Sequence, residues 1–137
     1  MNIILIGPQG SGKGTQAKFI AKEYSLPHIS TGDMFREIKK EDSDLGHKVK
    51  ELIDNGRLVP DEITNEVVTD RLARADCNKG FILDGYPRTI NQAKYLSSIK
   101  NIDYVIDVEI SDKEAIKRLS SRLTCKDCAT VYNTITN

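Results

Sequence analysis

The sequence has no net charge, no long apolar run and an odd number of cysteines. Twenty lysine and arginine residues are matched by twenty aspartate and glutamate residues. That balance gives no overall field to draw the chain to nucleic acid or an acidic membrane, so any anion site must be local. No apolar run approaches the roughly 18 residues of a membrane-spanning helix. Met1 leads straight into a strand-like segment, which reads as neither signal peptide nor anchor, and the expected compartment is the cytoplasm. Three cysteines, Cys77, Cys125 and Cys128, without an export signal argue against a disulfide framework. Cys125-x-x-Cys128 is half of a zinc knuckle or a redox pair; Cys77 reads as an ordinary free thiol. There is no Ser-His-Asp arrangement, no further His/Cys cluster, no internal repeat and no low-complexity segment. At 137 residues, 39% of them apolar, the chain is large enough for one domain with a core.

What is present is concentrated in Asn2 to Thr15, NIILIGPQGSGKGT. Ile3, Ile4, Leu5 and Ile6 are too few for a helix and rich in β-branching, so they predict a short buried strand. Gly7, Gly10, Gly12 and Gly14 let the backbone curl with its N–H groups around an anion before Lys13 and Thr15 open a helix. The helix N-terminus and the Lys13 ammonium then serve a polyphosphate. Gly7, Gly12 and Lys13 fit G-x-x-x-x-G-K, but Gly14 stands where a magnesium-binding hydroxyl is usual. Thr15, one place later, could contact phosphate. The spacing does not fit a dinucleotide fingerprint.

A first helix is expected over about Lys13 to Glu23, with Ala17, Ile20, Ala21 and Tyr24 inward. Leu26 to Ile29 reads as extended, and Ser30 to Asp33 as the cap of a helix from Met34 to Lys40. His28 could be a base or a packing histidine. Ser43 caps a segment with Leu45, Val49, Leu52 and Ile53 on one face, closed by Asn55-Gly56, and Asp61 is read as the cap of the next. Phe81 to Leu83 is a second buried strand, placing Asp84 and Arg88 at its carboxyl end, where open parallel sheets bind ligands. Thr89 begins a helix expected to turn Ile90, Ala93 and Leu96 inward and Gln92 elsewhere. A strand over Tyr104 to Ile110 follows, then a Ser111-x-x-Glu114 capping box opening a helix to about Ser121. Arg118 and Arg122 are expected to point the same way from it, and a non-helical tail begins at Leu123.

Lys13, Asp84 and the arginines Arg36, Arg88, Arg118 and Arg122 are the groups phosphoryl transfer needs, since that reaction asks mainly for positioning and charge neutralisation. Taken singly an arginine is more often a surface ion-pair residue than a catalytic one; Arg88, after Asp-Gly-x-Pro at a strand end, is the exception.

Through GPQGSGKGTQ, ISTGDMFR, GRLVPDE, GFILDGYPRT with Gln92, and RLSSRLTCKDC, the chain closely resembles the adenylate kinase family from Met1 to about Tyr132. The resemblance implies an α/β fold with a P-loop NTPase-like parallel sheet flanked by helices. It divides the chain into a core (1–29 and 60–121), an AMP-binding insertion (30–59) and the start of a lid (122–137). It implies ATP plus AMP giving two ADP, with Mg2+ carried on ATP and those nucleotides as partners of a monomer when intact. Gly10, Ser11, Gly12, Lys13, Gly14, Thr15, Arg122, Val131 and Tyr132 are then expected at ATP. Thr31, Arg36, Arg57, Leu58, Val59, Gly85, Tyr86, Pro87, Arg88 and Gln92 are expected at AMP, with Gln92 and Thr31 nearest the adenine. Lys13, Arg88, Arg118, Arg122 and Asp84 carry the catalytic assignment, Asp84 through the Mg2+ hydration shell.

In the family the lid runs further, with more arginines, a second cysteine pair in zinc-bearing members, a last strand and a closing helix. Cys125 and Cys128 alone would accordingly be at most half of a four-ligand zinc site. These 137 residues alone are expected to bind nucleotide weakly and turn over poorly, and the Tyr104 strand is expected to be an exposed edge open to association. Two other readings remain: a kinase for UMP or CMP on the same scaffold, and a non-catalytic nucleotide-binding piece.

Overall fold

In the computed structural model, which describes residues 1–125 and 131–134, the run Ile3 to Ile6 is a central strand. β1 (Asn2–Ile6), β2 (His28–Ser30), β3 (Phe81–Asp84) and β4 (Tyr104–Asp107) form a sheet in the order β2-β3-β1-β4. Every pairing is parallel, with Leu5 opposite Asp84 and Ile106. A parallel sheet must be covered on both faces, and the alternation along β1 supplies both. Ile4, Ile29 and Leu83 pack with Val68, Leu72 and Leu96, from α4 (Asp61–Leu72) and α5 (Ile90–Ile99). Ile3, Leu5 and Ile82 pack with Ala17, from α1 (Lys13–Tyr24). Leu5, Ile82 and Leu83 are wholly buried, and each such side chain contributes about 1.5–3 kcal/mol relative to exposure.

The chain runs from β1 through α1 to β2, and later from β3 through α5 to β4 on the far side of β1. The connections leaving β1 and β3 therefore diverge, which opens a crevice beyond their carboxyl ends. Between β2 and β3 lie α2 (Thr31–Ile38), α3 (Asp44–Asp54) and α4, three helices without an intervening strand. After β4 come α6 (Asp112–Ser120) and an antiparallel pair, β5 (Arg122–Thr124) with β6 (Val131–Asn133).

Caps read from the sequence are present. Ser30, Ser43, Thr89 and Ser111 accept from the backbone N–H three residues on, at 3.0 to 3.3 Å. Glu114 does not return the capping box; its carboxylate accepts from Arg118 Nε at 2.9 Å. Several expectations are corrected. α2 begins at Thr31 rather than Met34, because Ser30 itself is the cap. Pro60, not Asp61, is the N-cap of α4, and it offers no side-chain bond. Tyr24 and Ile90 are 58% and 75% exposed, as neither lies over a neighbouring element, while Gln92 is only 4% exposed. β4 stops at Asp107, three residues short, because β1, its only partner among the described residues, ends opposite it at Ile6. It is a sheet edge, with Tyr104 and Val105 more than half exposed. Leu123 and Tyr132 belong to the β5–β6 pair rather than to an unpaired tail.

Candidate functional site

The glycine-rich loop leaves β1 and enters α1 through backbone that β-carbons disfavour. Gly7, Gly10 and Gly12 have φ of 136°, 83° and 88°, and Gly12 is the left-handed N-cap of α1. Thr15 and Gln16 both donate to Gly12 O, at 2.9 and 3.0 Å. Among the described residues, the N–H groups of Lys13 and Gly14 have no hydrogen-bond acceptor. Two unpaired donors at a helix N-terminus, with a lysine side chain on the first of them, form an anion-binding arrangement. Beside the loop, a concavity of about 470 Å³ is lined by Pro8, Asp107, Glu109, Ile110 and Ser111.

Asp84, at the end of β3, is buried under the start of α1. A β-carbon on Gly14 would lie 3.2 Å from Asp84 Oδ2, so a serine or threonine there would crowd the carboxylate. This accounts physically for glycine at the position where a hydroxyl was looked for. Asp84 Oδ1, Ser11 Oγ and His28 Nε2 are all buried without a hydrogen-bond partner, and His28 Nε2 stands 3.5 Å from Asp84 Oδ2. His28 is thus a half-buried histidine set against the carboxylate. A buried carboxylate beside a phosphate cradle, with one oxygen free of protein hydrogen bonds, suits the water shell of a hard divalent cation.

On the other side of β3, Gly85 (φ 82°) turns the chain towards Arg88, and a β-carbon on it would be 3.0 Å from Thr31 Oγ1. Thr31, 2% exposed, donates to Gly85 O at 3.0 Å. Arg88 Nε donates to the same carbonyl at 2.7 Å, which anchors an otherwise exposed guanidinium by its root. Gln92 Oε1 accepts from Arg88 N, and Gln92 Nε2 donates to Asp61 Oδ1, both at 2.7 Å. Arg36 pairs with Asp33 on the surface of α2. Arg57 and Leu58 are exposed and Val59 half-buried in the link from α3 to α4. Pro87 follows Tyr86 through a cis peptide.

Tyr86 is wholly buried, so it shapes the Gly85 to Arg88 turn from beneath. Its hydroxyl donates to Asn65 Oδ1 at 2.6 Å. Burial, with Tyr95 and Asp61 nearby, pushes its pKa up to about 12. A raised folded-state pKa favours the neutral phenol, so this stabilisation is complete below about pH 10 and is lost as pH rises through the folded value. Tyr86→Phe is expected to cost about 1–3 kcal/mol in denaturant unfolding and to remove the last-titrating tyrosine from an alkaline absorbance titration. An unchanged titration curve would contradict the assignment.

The arginines near the end of the chain are not arranged as the helical spacing suggested. α6 ends at Ser120, so Arg118 is helical and paired with Glu114, while Arg122 lies on β5. The two do not share a helix face. Val131 and half-exposed Tyr132 are on β6. Cys125 is a half-buried free thiol; Cys128 lies outside the described residues. Among the described residues no group of three or more His, Cys, Asp or Glu is gathered to hold a metal ion.

Sequence reasoning missed Asp61 and Asn65. Asp61 was read as a local cap, yet its partners are 28 and 31 residues away.

These features have close counterparts in known proteins. A family model described as adenylate kinase matches residues 5–136. The adenylate kinase of Thermosipho africanus (strain TCF52B) is 51% identical, covering 99% of this chain and 66% of its own length. That of Kosmotoga olearia is 52% identical with the same coverage. That of Staphylococcus aureus (strain Mu50) is 49% identical, covering all of this chain and 66% of its own. The chain thus spans a little less than two thirds of the length of these curated relatives. With a parallel α/β sheet, a glycine loop at its switch point and this match along nearly all of its residues, the chain belongs to the adenylate kinase family.

Proposed function

We propose that the protein transfers the γ-phosphoryl group of ATP to AMP, giving two ADP. The observation that carries this reading is the loop: unpaired N–H donors on Lys13 and Gly14 next to a buried carboxylate with an unpaired oxygen, at the crevice where β1 and β3 end. Gly10 to Thr15 hold the ATP phosphates, and Lys13 follows the moving phosphoryl group. Thr31, Arg36, Arg57 to Val59, Gly85 to Arg88 and Gln92 hold AMP. An AMP phosphate oxygen forms the new bond to the γ-phosphorus as the bond to the β-bridging oxygen breaks, and ADP leaves. No general base is needed, because the attacking phosphate is already anionic. Arg88, Arg118 and Arg122 neutralise charge on the equatorial oxygens.

Mg2+ borne on ATP would supply charge neutralisation at the phosphates. Asp84 is the residue suited to its hydration shell. Val131 and Tyr132 flank the ATP purine. Residues 1–29 and 60–121 act as the core, 30–59 as the AMP-binding unit, and the lid begins at 122. Cys125 and Cys128 contribute two of the four ligands a structural zinc would take. The balanced charge offers no overall field for nucleic acid or an acidic membrane, the nucleotides are met by a local site, and a role in cytoplasmic nucleotide homeostasis is part of this reading.

A coupled assay of ADP formation by the full-length protein, with ATP and AMP, CMP or UMP as acceptor, tests the reading. AMP is expected to be preferred. ADP formation only with UMP, or with none of the three, would overturn it. CMP is the informative competitor, since cytosine offers the same acceptor-beside-donor edge as adenine.

A further inference from the structure

Asp61 lies outside every nucleotide-binding assignment above, yet it makes two short bonds at the start of α5. Its Oδ1 accepts from Gln92 Nε2 at 2.7 Å and its Oδ2 from Thr89 Oγ1 at 2.9 Å. Thr89 Oγ1 in turn accepts from Gln92 N at 3.1 Å, and Gln92 Oε1 accepts from Arg88 N at 2.7 Å. A carboxamide is nearly symmetric in shape and can present either end. Here it cannot turn over freely. Rotation would set its NH2 against the Arg88 N–H, donor to donor, and its oxygen against the Asp61 carboxylate, acceptor to acceptor.

We infer that Asp61 is a positioning residue that fixes the orientation of the Gln92 carboxamide and thereby selects the hydrogen-bonding edge of the acceptor base. The inference rests on the proposed contact of Gln92 with that base. Two of the four hydrogen-bonding positions of the carboxamide are used within the protein, which leaves one donor and one acceptor. In a fixed orientation these match a purine edge with an acceptor nitrogen beside an amino group. They mismatch the reversed edge, an N–H beside a carbonyl. A carboxamide free to flip would serve both. Of its two orienting bonds, the one to the Asp61 carboxylate is to a charged group and is the stronger.

AMP and IMP have the same size, and their six-membered-ring edges carry opposite patterns, so they separate orientation from general damage. By calorimetry on the full-length protein, the parent is expected to bind AMP more tightly than IMP. In Asp61→Ala the ratio is expected to fall about tenfold, from the loss of one charge-assisted bond, with IMP gaining relative to AMP. Asp61→Asn, whose oxygen can still face Gln92 Nε2, is expected to keep more of the ratio than Asp61→Ala. Should Asp61→Ala fail to fold, Asp61→Ser carries the same expectation, because a hydroxyl accepts or donates and imposes no orientation. A residue that merely braces the fold would weaken both nucleotides equally. An unchanged AMP/IMP ratio in the folded Ala or Ser variant overturns the inference while leaving the proposed reaction standing. If the parent binds neither nucleotide, the proposed function fails and this inference fails with it.

Discussion

Under the proposed function, replacing Lys13 by alanine in the full-length protein is expected to lower the turnover of ATP-to-AMP phosphoryl transfer at least about 10²-fold, or about 2.7 kcal/mol or more of barrier. The size of the effect follows from where the ammonium sits. Lys13 is the first residue of α1, directly after the left-handed cap Gly12. Among the described residues no carboxylate pairs with it. Its charge is therefore not spent within the protein and is available to phosphate oxygens as they gain charge in the transition state. The backbone donors on Lys13 and Gly14 survive the substitution, so ATP affinity should fall much less than turnover. Steady-state kinetics with both nucleotides saturating separates the two. A variant that keeps parental kcat would remove Lys13 from the chemistry.

Arg88→Ala is expected to be comparably severe, with a loss of at least about 10²-fold in kcat. Arginines at a transferring phosphoryl group are commonly worth about 10³ to 10⁵. The guanidinium is held through Nε to Gly85 O at 2.7 Å and the backbone N–H through Gln92 at 2.7 Å. The two terminal nitrogens thus project from an anchored base. Lysine has no separate nitrogen to keep the Gly85 bond while reaching phosphate, so Arg88→Lys should not restore activity. Because Arg88 is exposed, its removal should leave the unfolding midpoint nearly unchanged. Parental turnover in Arg88→Ala, or a folding defect large enough to explain the loss, would refute the assignment.

Features determined locally were legible in the sequence. The β-branched run Ile3 to Ile6, the glycine spacing and the caps Ser43, Thr89 and Ser111 depend on neighbours within a few residues, and each forms as read. The side of a helix that becomes buried depends on what another element lays over it, which periodicity does not encode. Ile90 therefore faces outward and Gln92 inward, under Asp61. Asp61 could not be identified because its role is set by partners in a different helix. Gly14 was legible as a departure from a common pattern, but its cause, the carboxylate of Asp84 beside it, is a contact across 70 positions of chain that only the folded sheet creates. Arg118 and Arg122 match a helical repeat, yet the helix ends between them. At the termini of elements, spacing alone is the weakest guide.

The most direct test is titration with a compound that joins two adenosines through a polyphosphate long enough to occupy both nucleotide positions. If the loop and the arginine-bearing side form one reaction site, this compound binds far more tightly than ATP or AMP alone, and Lys13→Ala and Arg88→Ala each weaken it. Binding no stronger than that of a single nucleotide would show that the two halves do not form one site, and the account of phosphoryl transfer would be wrong.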